Sequence, residues 1–488
     1  MSTLQYMYLL GNYNLNGTIS GSNASFILPM LEVLSLGENR FSGEIPLGLS
    51  QCQYLWALSL AINLFEGPVP AWLGEMPNLL LIYLGYNKFV GPIPSALGNL
   101  TNLMSLDLST CNLTGQIPPE LRGATELNEL YLQDNQFSGH FPDFVANLSG
   151  LSHLALANNM LTGLVPMSLG NAGAFVVLSV AGNHLQGNLN FLATLSNCRQ
   201  LSALSVSSNH FTGGIPEYVG NLSDQLRYFL ASQNMLTGVV PDTLSNLSNL
   251  NVLDLSENQL RSRIPESMMM MMNNLVTLDL STNGIFGPIP DQISMQSNLQ
   301  ALVLDSNNLT QAIPHNIGNL TKLQYLNVSL NKISSAIPAS IFHLENLLTL
   351  DLSQNSLEGE IPTDIGQLKQ VGAIDLSTNL LVGRLPTSFG QLQTMIYLNL
   401  SHNSINDSLP YSFDKLTSLD TLYLSYNDLS GTIPQYLANF TYLTSLNLSF
   451  NKLHGPVPER GVFANITLQS LVGNAGLCGR KSRSRSRG

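Results

Sequence analysis

Aliphatic residues, mostly leucine, recur as L-x-x-L-x-L and are followed each time by x-x-N-x-L-x-G-x-I-P. Leu250–Pro265 (LNVLDLSENQLRSRIP), Leu347–Pro362 (LLTLDLSQNSLEGEIP) and Leu443–Pro458 (LTSLNLSFNKLHGPVP) show the pattern in full. The asparagines set its register: Asn39, Asn63 and Asn87, then Cys111 in their place, then Asn135, Asn159, Asn183, Asn209, Asn234 and so on to Asn451. With a degraded first copy around Asn12, the chain reads as about 19 repeats of about 24 residues over 1–458. A fixed period of this size marks a repeat architecture, which overrides the several domains that a length of 488 residues suggests.

Each column of the repeat has a physical task. In L-x-L the period of two points both leucines to one face of a short strand and the middle residue to the other. One repeat cannot bury its own leucine face, but strands stacked about 4.8 Å apart close a continuous core. The asparagine lies where the chain turns while its peptide groups stay buried, and its amide both donates and accepts. Cys111 reads as a substitute in that ladder. The glycine allows a tight bend, and the proline sits where no N–H is needed. The residues after it, such as 95–100, are expected to form a short helix or 3₁₀ turn. The predicted fold is an α/β solenoid, with a parallel sheet on its concave side and short helical turns on its convex side. Met268–Met272 read as filler of that convex side.

Composition narrows the function. Only 10% of residues are charged and the net charge is -12, which argues against nucleic acid as a partner of the main body. Residues 480–488 form a basic Arg/Ser tail, expected to be disordered. No phosphate-cradling glycine loop, kinase signature or zinc-type Cys/His spacing is present, so neither an enzyme activity nor a cofactor is implied. Cys52 and Cys198 lie about six repeats apart, roughly 30 Å at 4.8 Å per repeat, beyond disulfide reach, so both read as buried thiols. No run approaches the ~18 apolar residues of a membrane helix, and Met1–Gly11 lacks the basic start and apolar run of a signal peptide.

The segments Leu113–Pro118 (LTGQIP) and Leu429–Pro434 (LSGTIP) carry a resemblance to the plant-specific leucine-rich repeat. The chain resembles the ectodomains of plant leucine-rich repeat receptor kinases, especially the immune group with flagellin-sensing and bacterial-blight-resistance receptors. The resemblance implies a right-handed leucine-rich repeat superhelix and a plasma-membrane or extracellular setting. It also makes Asn474–Gly479 look like the start of a C-terminal cap, so 459–479 is expected to be an incomplete cap in which Cys478 lacks its local partner. With the paired-cysteine N-terminal cap missing as well, the chain reads as a portion of a longer receptor-like protein.

Four columns are expected to face solvent on the concave side: the residue before the second leucine, the one within L-x-L, and the two before the asparagine. In later repeats they hold small polar residues, such as Thr349, Asp351, Ser353 and Gln354. Repeats four to seven differ, and tyrosine gives large contact area at low entropy cost. Tyr83, Tyr86, Glu129, Tyr131, Asp134, His153 and Tyr228 are therefore the expected ligand surface, with Tyr83 and Tyr131 exposed. The four columns hold acids such as Glu38, Asp107, Asp254, Asp279 and Asp375 but no lysine or arginine, which favours a neutral or cationic ligand. Peptide-hormone receptors of the family use an Arg-x-Arg on concave strands; Arg261-Ser-Arg263 follows the asparagine and does not fit that role. Tyr397, Tyr423, Tyr426 and Phe450 cluster on the last repeats, where the family meets a co-receptor ectodomain of the same repeat type.

N-x-S/T sequons at Asn16, Asn23, Asn99, Asn112, Asn147, Asn221, Asn246, Asn308, Asn319, Asn406, Asn439 and Asn465 are expected glycosylation sites. Others at Asn327, Asn399 and Asn447 fall within L-x-L. The expected function is non-enzymatic recognition of a peptide or protein on the concave face, in defence or developmental signalling. Two alternatives stand beside it: a secreted inhibitor of a cell-wall-degrading enzyme, and an inactive truncated receptor fragment.

Overall fold

The computed structural model describes residues 3–19 and 28–479. They fall into two compact units, 1–250 and 251–488. In the first unit, ten three-residue strands from Tyr6–Tyr8 to Tyr228–Leu230 pair in parallel, each with the equivalent strand of the next repeat. In the second, nine do so from Val252–Asp254 to Ser445–Asn447. The register carries no slip, as Glu129 opposite His153 and Leu130 opposite Leu154 illustrate. Both leucines of L-x-L are buried, for instance Leu253 and Leu255, while the residue between them is half-exposed.

The helical side forms as the proline predicts. Pro94, at φ -64°, precedes the 3₁₀ turn Ser95–Asn99, and the same geometry recurs at Pro118, Pro338 and Pro386. Met268 to Met272 lie in and just after the short α-helix Glu266–Met271, with Met268, Met269 and Met272 buried and Met270 and Met271 exposed.

The segment after the asparagine, expected only to bend, builds a second parallel sheet. In the first unit it runs from Asn16–Thr18 through Asn112–Gln116 to Met235–Gly238. A six-strand counterpart in the second unit runs from Phe286–Gly287 to Ser404–Asn406. Its glycine is needed for conformation and for room: Gly163 sits at φ 83°, and a Cβ there would lie 2.6 Å from His140 Nδ1. Gln311, Ser335 and Asp407 hold the same left-handed backbone without glycine.

The asparagine ladder repeats one geometry along most of its length. Asn87 Nδ2 donates to the carbonyls of Leu60, Leu84 and Gly85 at 3.0, 2.9 and 3.2 Å, and its Oδ1 accepts the Phe65 N–H at 2.9 Å. Each amide thus satisfies backbone groups of its own and the preceding repeat, which would otherwise be buried unpaired. Cys111 occupies the same place with its Sγ 3.4 Å from Ser109 O and 3.8 Å from Leu84 O. Burial pushes its thiol up, as it does for Cys52 and Cys198, and all three are free. Residues 459–479 add a further rung: Asn474 donates to Leu448 O and Leu471 O and accepts from Leu453 N. Gly476–Cys478 pairs with His454–Pro456, and Cys478 is exposed and free. The tail 480–488 lies outside the described residues.

Candidate functional site

The open face of the strand ladder is built from three rows of side chains rather than four. The row two positions before the asparagine, expected to face solvent, is mostly buried, as at Gly85, Ser109, Ser256, Ser353 and Ser377. Where the residue two positions earlier is an aspartate, a local turn draws this row in. Asp351 Oδ1 accepts the Ser353 N–H at 2.9 Å, and Asp254, Asp279 and Asp375 hold Ser256, Ser281 and Ser377 through both N–H and hydroxyl. These aspartates are turn-formers, and burial holds the carboxyls of Asp279 and Asp351 above the usual carboxylate range. The acidity that faces outward is therefore less than the number of acids in these columns implies, and includes groups outside these turns such as Glu129 and Asp134.

The residue just before the asparagine is left-handed in repeat after repeat. Ile62, Tyr86, Thr110, Asp134, Asn158, His402, Tyr426 and Phe450 all have φ between 49° and 58°. Such a backbone costs a non-glycine residue about 1–2 kcal/mol. It persists because the N–H here is tied to the next repeat, as Tyr86 N is to Ser109 O at 2.8 Å. Its side chain projects away from the ladder, so Tyr86 is 52% exposed.

In the first unit the structure brings most of the expected ligand residues together. Tyr83, Asp107 and Tyr131 are direct neighbours in the row within L-x-L, and Leu81, Ser105, Glu129 and His153 form the row beside it. The Tyr131 and His153 rings are 6.4 Å apart, and Ser105 Oγ donates to Glu129 Oε2 at 2.8 Å. Asn158 Nδ2 donates to Asp134 Oδ1 at 2.7 Å, and Thr110 Oγ1 to its Oδ2 at 3.3 Å. Burial, with Glu129 nearby, pushes the Tyr131 phenol up. Tyr83 and Tyr131 are half-buried rather than exposed, because each lies in a row closed by its neighbours on both flanks. Tyr228 is exposed but stands apart: Val177 and Ala203 separate it from His153, three strands or roughly 14 Å at strand spacing.

In the second unit, Tyr397 and Tyr423 pack edge to face with centroids 6.3 Å apart. Tyr397 O–H donates to Asp375 Oδ2 at 3.0 Å, and burial, with that carboxylate, pushes its phenol up to about 12. Tyr423 shares a hydrogen bond of 2.8 Å with Ser445. Tyr426 and Phe450 stack at 4.2 Å and 16°, and His402 extends the stack at 4.2 Å and 14°. Sequence reasoning missed His402, although it occupies the same column as Tyr426 and Phe450. The stack ends against Gly473, where a Cβ would lie 2.6 Å from the Phe450 ring.

Of the expected glycosylation sites, Asn23 lies outside the described residues and the rest are exposed. Asn99, Asn147, Asn221, Asn246, Asn319 and Asn439 all end a 3₁₀ turn on the helical side, whereas Asn16, Asn112, Asn308 and Asn406 lie on the second sheet. Asn465 directly follows the 3₁₀ turn Gly461–Ala464. Asn327, Asn399 and Asn447 differ: their Oδ1 atoms accept the N–H groups of Ser329, Ser401 and Ser449 at 3.0 to 3.1 Å.

Among the described residues, no three His, Cys, Asp or Glu side chains gather into a metal cluster, and no helix is long and apolar enough to cross a membrane.

Models of the leucine-rich repeat match residues 224–285, 297–357 and 369–429, and shorter ones match 30–52, 102–124, 126–148, 200–222 and 441–456. No curated protein sequence matches the chain. Among solved structures, it is similar to the ectodomain of the Arabidopsis receptor kinase HAESA, in complex with an N-terminally extended IDA peptide hormone. The identity is 32% and the TM-score 0.84, over 93% of this chain and 79% of that one. The plant peptide hormone receptor RGFR1, in complex with RGF2, matches at 30% identity and TM-score 0.78, over 92% of this chain and 79% of that one. A third structure, HAESA with IDA and the co-receptor SERK1, matches at 28% identity and TM-score 0.72, over 92% and 87%. The chain belongs to the leucine-rich repeat family, and within it to the ectodomains of plant receptor kinases.

Proposed function

We propose that this chain is a non-enzymatic recognition ectodomain, displayed outside the cell, that binds a peptide or an extended protein segment along the open face of its strand ladder. The observation that carries the reading is the row Tyr83, Asp107, Tyr131, flanked by Tyr86, Glu129, Asp134 and His153. Elsewhere the same rows hold mostly small or turn-forming residues, such as Ser179, Ser205 and Asp254. Two half-buried tyrosines held in place by their neighbours lose little side-chain freedom on binding, which suits them as anchors. The occupants of the neighbouring ectodomains, IDA on HAESA and RGF2 on RGFR1, support a peptide as the ligand class.

The ligand is neutral or cationic in this reading, because the outward groups are Glu129 and Asp134 and no lysine or arginine occupies the rows. Tyr397, Tyr423, Tyr426 and Phe450, with His402, form the proposed contact for a co-receptor ectodomain; HAESA with SERK1 is the precedent. The setting in this reading is defence or developmental signalling.

The test uses the full chain secreted from plant cells and a panel of short basic, neutral and acidic peptides, with affinities measured by calorimetry. Basic or neutral peptides should bind, and Tyr83→Ala combined with Tyr131→Ala should weaken them by at least about 30-fold, the loss of one hot-spot contact. Unchanged affinity in the double variant would overturn the site, and preferential binding of acidic peptides would overturn the charge argument.

A further inference from the structure

From Arg40 to Met235, the first position after the ladder residue opens each strand of the second sheet and faces solvent. In most of the first unit it holds unrelated residues: Arg40, Leu64, Lys88, Asn112 and Gln136. The next four strands break that disorder. They open with Met160, His184, His210 and Met235 in consecutive repeats, and all four side chains are exposed. The proposed peptide surface does not use them, since they lie on the other sheet.

The two imidazoles are already close, with ring centroids 5.7 Å apart and planes tilted by 32°. A metal bound about 2.0 Å from one nitrogen of each ring sets the two centroids roughly 5 to 6.5 Å apart, from tetrahedral to linear geometry. The observed separation falls within that span with no backbone movement. A methionine stands one repeat to either side of the pair, and its unbranched chain can swing a thioether inward. Imidazole alone accepts zinc, nickel or copper, but thioether sulfur is a soft ligand that selects monovalent copper.

We propose that Met160, His184, His210 and Met235 form a surface site for monovalent copper, with the two imidazoles as principal ligands and a thioether from the flanks completing the coordination. The site has no established counterpart in the recognition function and is independent of it.

The experiment titrates Cu(I), kept reduced by ascorbate without oxygen, into the full chain against a chromophoric Cu(I) chelator. A Cys478→Ser background removes the exposed thiol, which would itself take copper. One copper per chain is expected. Even outer-shell changes at metal sites weaken binding by about 10- to 100-fold, so His184→Ala with His210→Ala should cost at least ~100-fold. Met160→Leu with Met235→Leu should weaken Cu(I) several-fold and leave Zn(II) binding unchanged. All four positions are exposed, so the variants keep the fold, which circular dichroism checks. Undiminished copper binding in the double histidine variant would overturn the site. Equal Cu(I) affinity in the double methionine variant would overturn the assignment to monovalent copper.

Discussion

Replacing Cys111 by asparagine should stabilise the repeat it interrupts. At Asn87, one repeat earlier, two amide hydrogens serve the carbonyls of Leu60, Leu84 and Gly85, and the amide oxygen takes the Phe65 N–H at 2.9 Å. Asn135, one repeat later, reaches Leu108, Leu132 and Gln133 at 2.8 to 3.2 Å and takes the Leu113 N–H at 3.0 Å. Cys111 has a single weak donor for Ser109 O at 3.4 Å and Leu84 O at 3.8 Å. The Phe89 N–H, counterpart of the Phe65 and Leu113 donors, meets a sulfur in place of an amide oxygen. Cys111→Asn thus restores one strong acceptor and one strong donor in a buried site. At about 0.5–1.5 kcal/mol net for each hydrogen bond, the gain is about 1–3 kcal/mol. Stability in a repeat array is local, so the informative assay is native-state hydrogen exchange at the Phe89 amide. With a tenfold change for each ~1.4 kcal/mol, exchange there should slow by about five- to a hundredfold. Exchange that is unchanged or faster in a folded variant would refute the reasoning, because the sulfur would then already satisfy the donor or the rung would lack room for an amide.

Two further outcomes follow from local geometry. The half-buried carboxyl of Asp351 is held above its ordinary range, so as pH rises through that interval the unfolded chain loses its proton first and stability falls. Asp351→Asn keeps the acceptor for Ser353, as Asn399 does for Ser401, and should flatten the fall in melting temperature between acid and neutral pH. Protein from a host that does not glycosylate is required, since the change creates a sequon; an unaltered pH profile would exclude Asp351 as a source of the dependence. Ile62, a β-branched residue at φ 57°, should gain from Ile62→Gly, because glycine takes that backbone freely, as Gly182 does at φ 63° in the same column. Relief of about 1–2 kcal/mol, less roughly 0.5–1 kcal/mol of added unfolded-state entropy, leaves a gain of about 0–1.5 kcal/mol. A lower urea midpoint in the variant would show that Ile62 contributes packing that outweighs its strain.

The sequence alone determined the repeat, its register and its core. A leucine face with a period of two and an asparagine every 24 residues or so admit few arrangements that satisfy both apolar surface and buried peptide groups. The short helical turn after the repeat's proline, the buried cysteines and the column of Tyr83 and Tyr131 were legible for the same reason, since each depends on local spacing. Three features needed the tertiary structure. The second sheet arises only when neighbouring repeats stack, because Thr114 and Gln136 pair across repeats and nothing in one L-x-G-x-I-P shows its partner. The burial of Ser353 and its row follows from a turn in which the aspartate two residues earlier folds back, so an outward-reading pattern gave one contact row too many. The stack of His402, Tyr426 and Phe450 is a contact between residues 24 positions apart, made possible by a left-handed backbone at each. Local patterning sets which way a side chain starts; which neighbours it meets is decided by the stacking of one repeat on the next.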